Sequence, residues 1–529
     1  MKLRKLSFIA ITVACLINSL AAANTTARWN PIDLEFKAKV AAGTEFDLDF
    51  SATFTGPENQ KLTVPGFYDG DNRFIVRFAP PEEGEWTYLT SSSERSLAGK
   101  TGSLSVTPAL PGKRGPVGIS KSNPQKFAYA DGSQYFPIGF ELDWLFAIDA
   151  ENGEDIPKTR SVIRHVRENG FNQIVMNVFA YDVNWPRDPK LPAKYDYGKP
   201  SVFPYGGDNT NPDFSTLDLE FFQRFDRVVE HLDEQGIIAH IMIYVWNKQV
   251  SWPEAESDAD NRYFDYVVKR YQAFPNLIWD ISKEATGYGH NDRQYIVDRI
   301  TRLRALDGHD RLVTVHDYGY CNQYPDTVDF ISIQNWKAEI HRVMRDVVTK
   351  HDKKPVFNIE HGGYEGGPYH VFTGTYLTPL SNLERAYKII FAEASITHYW
   401  QDTSWNVVIH DIENLPAEDQ PKLHYYRHMA DFIEKQQVND LVTTPDAASA
   451  GFCLSNKDDF YMHLLPADHD ALVVRQRPGY ENGTVHFTWF DPLTGEYEDG
   501  GTRPVEKWMR VHTPQPYQLR ILLVQFKKD

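Results

Sequence analysis

The stretch Asn276-Leu277-Ile278-Trp279-Asp280-Ile281-Ser282-Lys283-Glu284 decides how the chain is read. Leu277 to Ile281 is a mostly apolar run too short for a helix, and polar residues follow it at once, as where a buried strand enters a functional loop. Upstream, Ile237 to Val245 and Phe171 to Val178 are runs of the same kind. Between those two, Phe221, Phe222, Phe225, Val228, Val229 and Leu232 recur at helical spacing, and Gly236 supplies the stop. That is one strand-helix-strand unit. Tyr135 to Phe140 precedes it, and Leu312 to Val315, Phe330 to Ile333, Val356 to Ile359 and Ile396 to Trp400 follow the quoted stretch. Eight such runs in a segment of the usual barrel length predict a (β/α)8 TIM barrel over residues 118–436.

The flanks have a different pattern. Over residues 24–117, strand-like alternation is punctuated by turns: Phe74, Val76 and Phe78 share one face, Arg73, Ile75 and Arg77 the other, with turn clusters at Asp69 to Asn72 and Glu82 to Gly84. A β-sandwich is expected there, joined to the barrel by the Pro- and Gly-rich run Pro108 to Pro116. Residues 437–529 return to β character. Leu472 to Arg475 and Val485 to Trp489 are strand runs joined by a turn containing Asn482-Gly483, and Leu519 to Phe526 is a third run, which together predict a small β-sandwich. The fold class is multidomain α/β, a central barrel between two β-domains.

At 529 residues the chain is too long for a single core. Residues 1–23 read as a signal peptide: Lys2, Arg4 and Lys5, an apolar stretch from Leu6 to Leu20, and a small-residue cleavage site at Ala21-Ala22-Ala23. Export to the periplasm or beyond is expected. A lipoprotein alternative would use Cys15, but Thr12 stands where a leucine-like residue is usual. No later apolar run is long enough to span a bilayer. The net charge of −17 becomes more negative once the leader is removed, which disfavours nucleic acid as a partner. Cys321 and Cys453 fall in different predicted domains, so no disulfide framework is expected. Aromatic residues make up 13% of the chain, which suits carbohydrate binding and large cores alike. Oligomeric state is open.

In a TIM barrel the functional groups stand at the C-terminal ends of the strands. The fourth run leads to Glu284 and the seventh, Phe357-Asn358-Ile359-Glu360-His361-Gly362, to Glu360, on opposite sides of the barrel. Hydrolysing a glycoside with retention needs one carboxyl group to protonate the leaving oxygen and another, about 5 Å away, to attack the anomeric carbon. An isolated strand-end Glu is more often a salt-bridged surface residue; two at facing strands favour the catalytic reading. The candidates for holding sugar are Glu141, Asp143 and Trp144 after the first run, Asn177 and Asp182 after the second, and Trp246 after the third. Lys283, His316, Asn335, Trp336, His361, Trp400 and Asp402 follow at the later strand ends. No HExxH or paired ligand spacing is present, so neither a catalytic metal nor another cofactor is expected. A non-catalytic carbohydrate-binding protein and a structural adhesin are the alternatives, since fold alone does not establish function.

The arrangement resembles the clan of retaining TIM-barrel glycosidases, which implies Glu284 as acid/base and Glu360 as nucleophile. More specifically, Asn177-Val178-Phe179-Ala180-Tyr181-Asp182-Val183-Asn184-Trp185, the stretch Asn276 to Glu284, and Gly66-Phe67-Tyr68-Asp69-Gly70 with Gly84-Glu85-Trp86 resemble apiosidase-like glycosidases with a preceding β-sandwich. Trp489-Phe490-Asp491-Pro492-Leu493-Thr494-Gly495 is similar to the collagen-binding-type β-domain that often ends such proteins. The resemblance implies an exported enzyme acting on plant or algal cell-wall polysaccharide or its oligosaccharides. One position departs from the clan's pattern: Lys283 stands where Asn usually precedes the acid/base. An ammonium there would lower the pKa of a general acid, so either Lys283 points elsewhere or it engages an anionic substrate group. Glu141 is the reserve candidate for the acid/base.

Overall fold

The computed structural model describes residues 24–153, 155–288, 292–364, 367–369 and 376–529, with Gln401 and Asp402 in backbone only. The expected leader and the Asp402 side chain lie outside the described residues. Eight strands, β1 (Ile138–Glu141), β2 (Gln173–Asn177), β3 (Ile238–Val245), β4 (Leu277–Lys283), β5 (Val313–His316), β6 (Ile331–Gln334), β7 (Val356–Glu360) and β8 (Ser395–His398), form one sheet in the order β5-β4-β3-β2-β1-β8-β7-β6. Every ladder in it is parallel. The end strands close the cylinder: the Asp329 N–H donates to Val313 O at 2.9 Å and the Thr314 hydroxyl to Phe330 O at 3.0 Å. This is the predicted barrel.

Helices α1 (Pro157–Glu168), α2 (Leu219–Glu234), α3 (Asp258–Tyr271), α4 (Arg293–Leu306), α5 (Tyr318–Gln323), α6 (Ile340–Lys350), α7 (Pro379–Ile390) and α8 (His424–Lys435) follow the strands in turn. Local chemistry explains α2. The Asp218 carboxylate caps it by accepting from the Glu220 and Phe221 N–H groups, worth about 1 kcal/mol. Its apolar stripe, from Phe221 to Leu232, is buried, and Gly236 leaves the last turn at φ +69. Along β3 the period-two rule sorts side chains: Ile238 and Met242 enter the lumen beside Val175, Ile278 and Phe357, whereas Ala239, Ile241 and Ile243 face the helices.

Two features of the barrel depart from the expected pattern. The run Tyr135 to Phe140 is broken at Pro137, which lacks the N–H that a ladder needs. Tyr135 therefore belongs to a three-stranded sheet with Val117–Ile119 and Phe127–Tyr129, whose Val117, Phe127 and Tyr129 join the lumen cluster and plug the N-terminal end of the barrel. The lumen also holds a polar chain. Tyr135 donates to Gln173 Oε1 at 2.8 Å, Gln173 Nε2 lies 3.0 Å from His240 Nδ1, and His240 Nε2 lies 3.0 Å from Asp280 Oδ2.

The N-terminal domain is a two-sheet sandwich, Ile32–Lys37, Arg73–Phe78 and Phe67–Tyr68 packing on a five-stranded sheet. Phe74, Val76 and Phe78 fill its core, with Phe78 stacked on Phe54 at 3.8 Å. The opposite face of that strand docks on the barrel. Ile75 joins the barrel's own core, and the buried Arg77 binds Asp33 at 2.8 and 3.0 Å, Asp226 of α2 at 3.0 Å and the Arg270 carbonyl of α3 at 3.2 Å. Arg270 in turn binds Asp226 at 2.8 and 2.7 Å and Asp69 at 2.9 Å. At the other end, Val485, Phe487, Trp489 and Val524 of a six-stranded sheet pack with Leu472 and Val474 of a two-stranded one. The Asn482-Gly483 turn thus links two sheets rather than forming a hairpin, because Ala471–Arg475 pairs with Trp508–His512 instead.

Candidate active site

The C-terminal ends of β1, β4 and β7 converge on Lys283. Its fully buried ammonium donates to Glu141 Oε1 and, at 3.2 Å, to Asp143 Oδ2, and lies 3.8 Å from Glu360 Oε2. The Gln334 amide donates to Glu360 Oε1 at 2.9 Å, and His316 Nε2 is 3.9 Å from Glu360 Oε2. Glu284, half-buried, accepts from the Asn247 amide at the exit of β3. Both candidate carboxylates follow register shifts, which re-aim side chains. One lies between Asp280 and Lys283 on β4, the other where Gln334 of β6 meets Glu360 of β7. Asp280 supports the first, its Oδ1 accepting from the Ser282 and His316 N–H groups at 3.0 and 2.9 Å. Beyond that bulge Glu284 takes φ +50, in the left-handed region, with its N–H bonded to His316 O at 2.8 Å.

Burial and charge act together on this cluster. Burial raises Glu360 to about 7; Lys283 opposes that and the Glu284 charge adds to it. Glu141 is pushed well above the carboxylate range by burial, against Lys283, with Asp143 and Glu360 pushing the same way as burial. Burial alone would lower Lys283, but Asp143, Glu141 and Glu360 outweigh it, so this lysine stays charged. His316 is held well below its usual value by burial and by Lys283, and is neutral.

Residues 121–408, more than half of the chain, match the family model described as the apiosidase-like catalytic domain. The chain belongs to the apiosidase-like family. Residues 25–93 match a domain of unknown function, DUF5060. No curated protein matches. Among solved structures, one named as a glycoside hydrolase from Bacteroides vulgatus is 21% identical, covering 95% of this chain and 100% of its own, at a TM-score of 0.76. A family 5 glycoside hydrolase from the same species is 13% identical, covering 79% and 94%, at 0.59. A third, named only as a glycoside hydrolase, is 15% identical, covering 80% and 100%, at 0.58. At such identities the likeness concerns the fold.

Within this apiosidase-like barrel the predicted residues separate. Glu141, Asp143, Lys283, His316 and Glu360 share one cluster, and Glu284 stands beside it with Asn247. Lys283 points at the β1 acids, which answers the question raised by its place before Glu284: successive strand residues face opposite ways, and the bulge adds to the divergence. Asn177 donates to Asp143 O at 3.3 Å, and Trp144 is buried. Asp182 instead holds its own loop, accepting from Arg187 at 2.6 Å and the Val183 N–H at 2.8 Å. Asn335 accepts from the Lys337 N–H at 3.1 Å. Trp246 stacks on Tyr244 at 5.4 Å and Trp336 lies 6.0 Å from Tyr399, both half-buried, whereas Trp400 is fully buried. His361 is buried, and that burial, aided by Arg385, holds it at about 3.

Sequence reading missed Asn247 and Gln334, which donate to Glu284 and Glu360, and Lys248 and Trp405, of which the first lies 3.7 Å from Asp143 and the second lies against that lysine. Asn247 and Lys248 lie within three residues of the end of β3, where the strand-end rule, applied past Trp246, reaches them. Gln334 ends β6 itself. Trp405 lies well beyond β8 and carries no local signal.

Proposed function

We propose that the chain is an exported retaining glycoside hydrolase that cleaves oligosaccharides of plant or algal cell-wall polysaccharide. The observation that carries this reading is the placement of Glu360, buried and balanced between a lysine and further carboxylates, with half-buried Glu284 at the end of the facing strand. In this reading Glu360 attacks the anomeric carbon while Glu284 protonates the departing oxygen; Glu284 then takes a proton from the water that releases the sugar. Lys283 compensates the charge of Glu360 and orders the β1 acids, leaving Glu284 to its proton transfers. Family membership and the fold of the structural relatives support a glycoside-hydrolase chemistry; the leader-like residues 1–23 support export.

The test is a screen of the purified protein and its Glu360→Ala variant against plant and marine oligosaccharides, with NMR reading the anomeric configuration of the first product. Release with retention by the native chain alone is expected. Inversion would remove the nucleophile role, and binding without release would favour a non-catalytic carbohydrate-binding protein.

A further inference from the structure

Lys248 is a buried cation that the steps above do not use. Its backbone is pinned, because Lys248 O accepts from the N–H groups of Tyr181 at 3.1 Å and Asp182 at 2.9 Å. Its side chain is fully buried, yet the ammonium makes no hydrogen bond among the described residues. The nearest carboxylate oxygen, Asp143 Oδ2, is 3.7 Å away. The Trp405 ring centroid lies 3.0 Å from Nζ, with the rings of Trp144 and Trp185 at 5.9 and 6.0 Å. A buried ammonium without an acceptor costs several kcal/mol, of which an aromatic face returns about 2. Burial, with Lys283 adding to it, lowers Lys248 to about 8, so it is still mostly charged at neutral pH.

Further unmatched polar atoms belong to Asp143, 3.7 Å from that ammonium, and to residues bonded or adjacent to it. Asp143 Oδ1, Glu141 Oε2 and Asn177 Oδ1 have no hydrogen-bond donor among the described residues, and Trp144 Nε1 has no acceptor. These atoms belong to one connected group: Lys283 bridges Glu141 and Asp143, and the Asn177 amide bonds Asp143 O. A hydroxyl completes both sides at once, donating to Asp143 Oδ1 while its oxygen accepts from Lys248. A ligand carboxylate or sulfate would complete only the lysine; it would bring a second negative charge against Asp143, 3.7 Å from that ammonium, and leave Asp143 Oδ1 without a donor.

We propose that Lys248 and Asp143 together hold a hydroxyl of an uncharged sugar residue and so select neutral over anionic substrates. The proposal rests on the glycoside reading above and sharpens it to a neutral sugar at the barrel mouth. Trp405 now occupies the face of the ammonium where the hydroxyl oxygen would sit, so binding moves that indole aside.

The experiment uses the full chain carrying Glu360→Gln, titrated with neutral and with uronic-acid-terminated plant oligosaccharides, and reads Kd by calorimetry and indole movement by tryptophan fluorescence. Neutral probes are expected to bind with a fluorescence change. Lys248→Met, which keeps the aliphatic stem against the tryptophans, is expected to weaken them by about tenfold or more, as loss of a charge-assisted hydrogen bond does. If Lys248→Met does not fold, Lys248→Arg, which keeps the charge, is expected to bind neutral probes more weakly than the parent. Preference for the uronic acid probes, no binding of any probe, or affinity within twofold of the parent in the variant overturns the proposal. Lys248-dependent binding without turnover by the native chain would sink the hydrolase reading alone; turnover indifferent to Lys248 would sink this proposal alone.

Discussion

Two buried ionic clusters of this protein are built on opposite principles. Between the N-terminal sandwich and the barrel, Arg77 and Arg270 grip Asp33, Asp69 and Asp226, and none of the polar atoms of these five side chains is left without a partner. At the barrel mouth, Lys248 and Lys283 serve Glu141, Asp143 and Glu360, and Lys248 Nζ, Glu141 Oε2 and Asp143 Oδ1 have no hydrogen-bond partner among the described residues. Planar guanidinium forks lock carboxylates in pairs; a lysine is a point charge that neutralises without filling every lone pair. The pKa directions follow. Burial alone would raise Asp226, but Arg270 and Arg77 outweigh it and hold it below the usual carboxylate range, whereas Glu141 and Glu360 are raised. The satisfied cluster welds two domains; the unsatisfied one, on our proposal, receives a sugar hydroxyl.

Each cluster can be disrupted separately. Glu360→Ala tests the open cluster most severely: turnover is expected to fall by at least roughly a thousandfold while the fold persists, read by single-turnover kinetics and circular dichroism. Asp226→Ala tests the closed one. Leaving Arg77 and Arg270 without their shared partner is expected to cost about 3–5 kcal/mol in urea unfolding, with little change in turnover of the protein that stays folded. If turnover drops and stability holds, the two clusters do not divide the work in this way.

The pH dependence sharpens the same contrast. Because the folded pKa of Glu360 is raised from 4.5 to about 7, the native chain loses stability as pH rises through that window; the unfolded chain ionises first. Glu360→Gln has no such penalty and should become the more stable protein above pH 7, by up to about 3 kcal/mol. In the role proposed for Glu360 a carboxylate must be ionised to attack, so kcat/KM of the native chain is expected to fall below about pH 7. A flat profile between pH 5 and 7 would remove Glu360 from that role. The smallest effect is expected for Arg77→Lys, which keeps the charge but loses the fork: about 1–2 kcal/mol of stability at unchanged turnover.

Much of the molecule is legible in the sequence. Each of the eight apolar runs supplies a barrel strand, the first only from Ile138 onward, since burial on both faces forces a continuous apolar run wherever a parallel strand lies. The candidate carboxylates were found because barrel chemistry is confined to strand ends. Other features were hidden for identifiable reasons. Ile75 and Arg77 read as the outer face of a sandwich strand, and only docking on α2 and α3 turned that face inward. Asp182 lay as well placed as Asp143 in the chain, but Arg187, five residues on, claimed it for the loop.

By itself the sequence determined the barrel and its flanking β-domains, and which residues stand at the mouth, because strand length, apolar period and strand-end position are local properties of the chain. Tertiary structure alone decided the directions. The register shift after Asp280 sends Lys283 toward β1 and leaves Glu284 apart with Asn247, and closure of the cylinder brings Glu141, Asp143 and Glu360 around one ammonium. Coulomb forces between buried groups depend on separations across the barrel, and those separations exist only once it has closed.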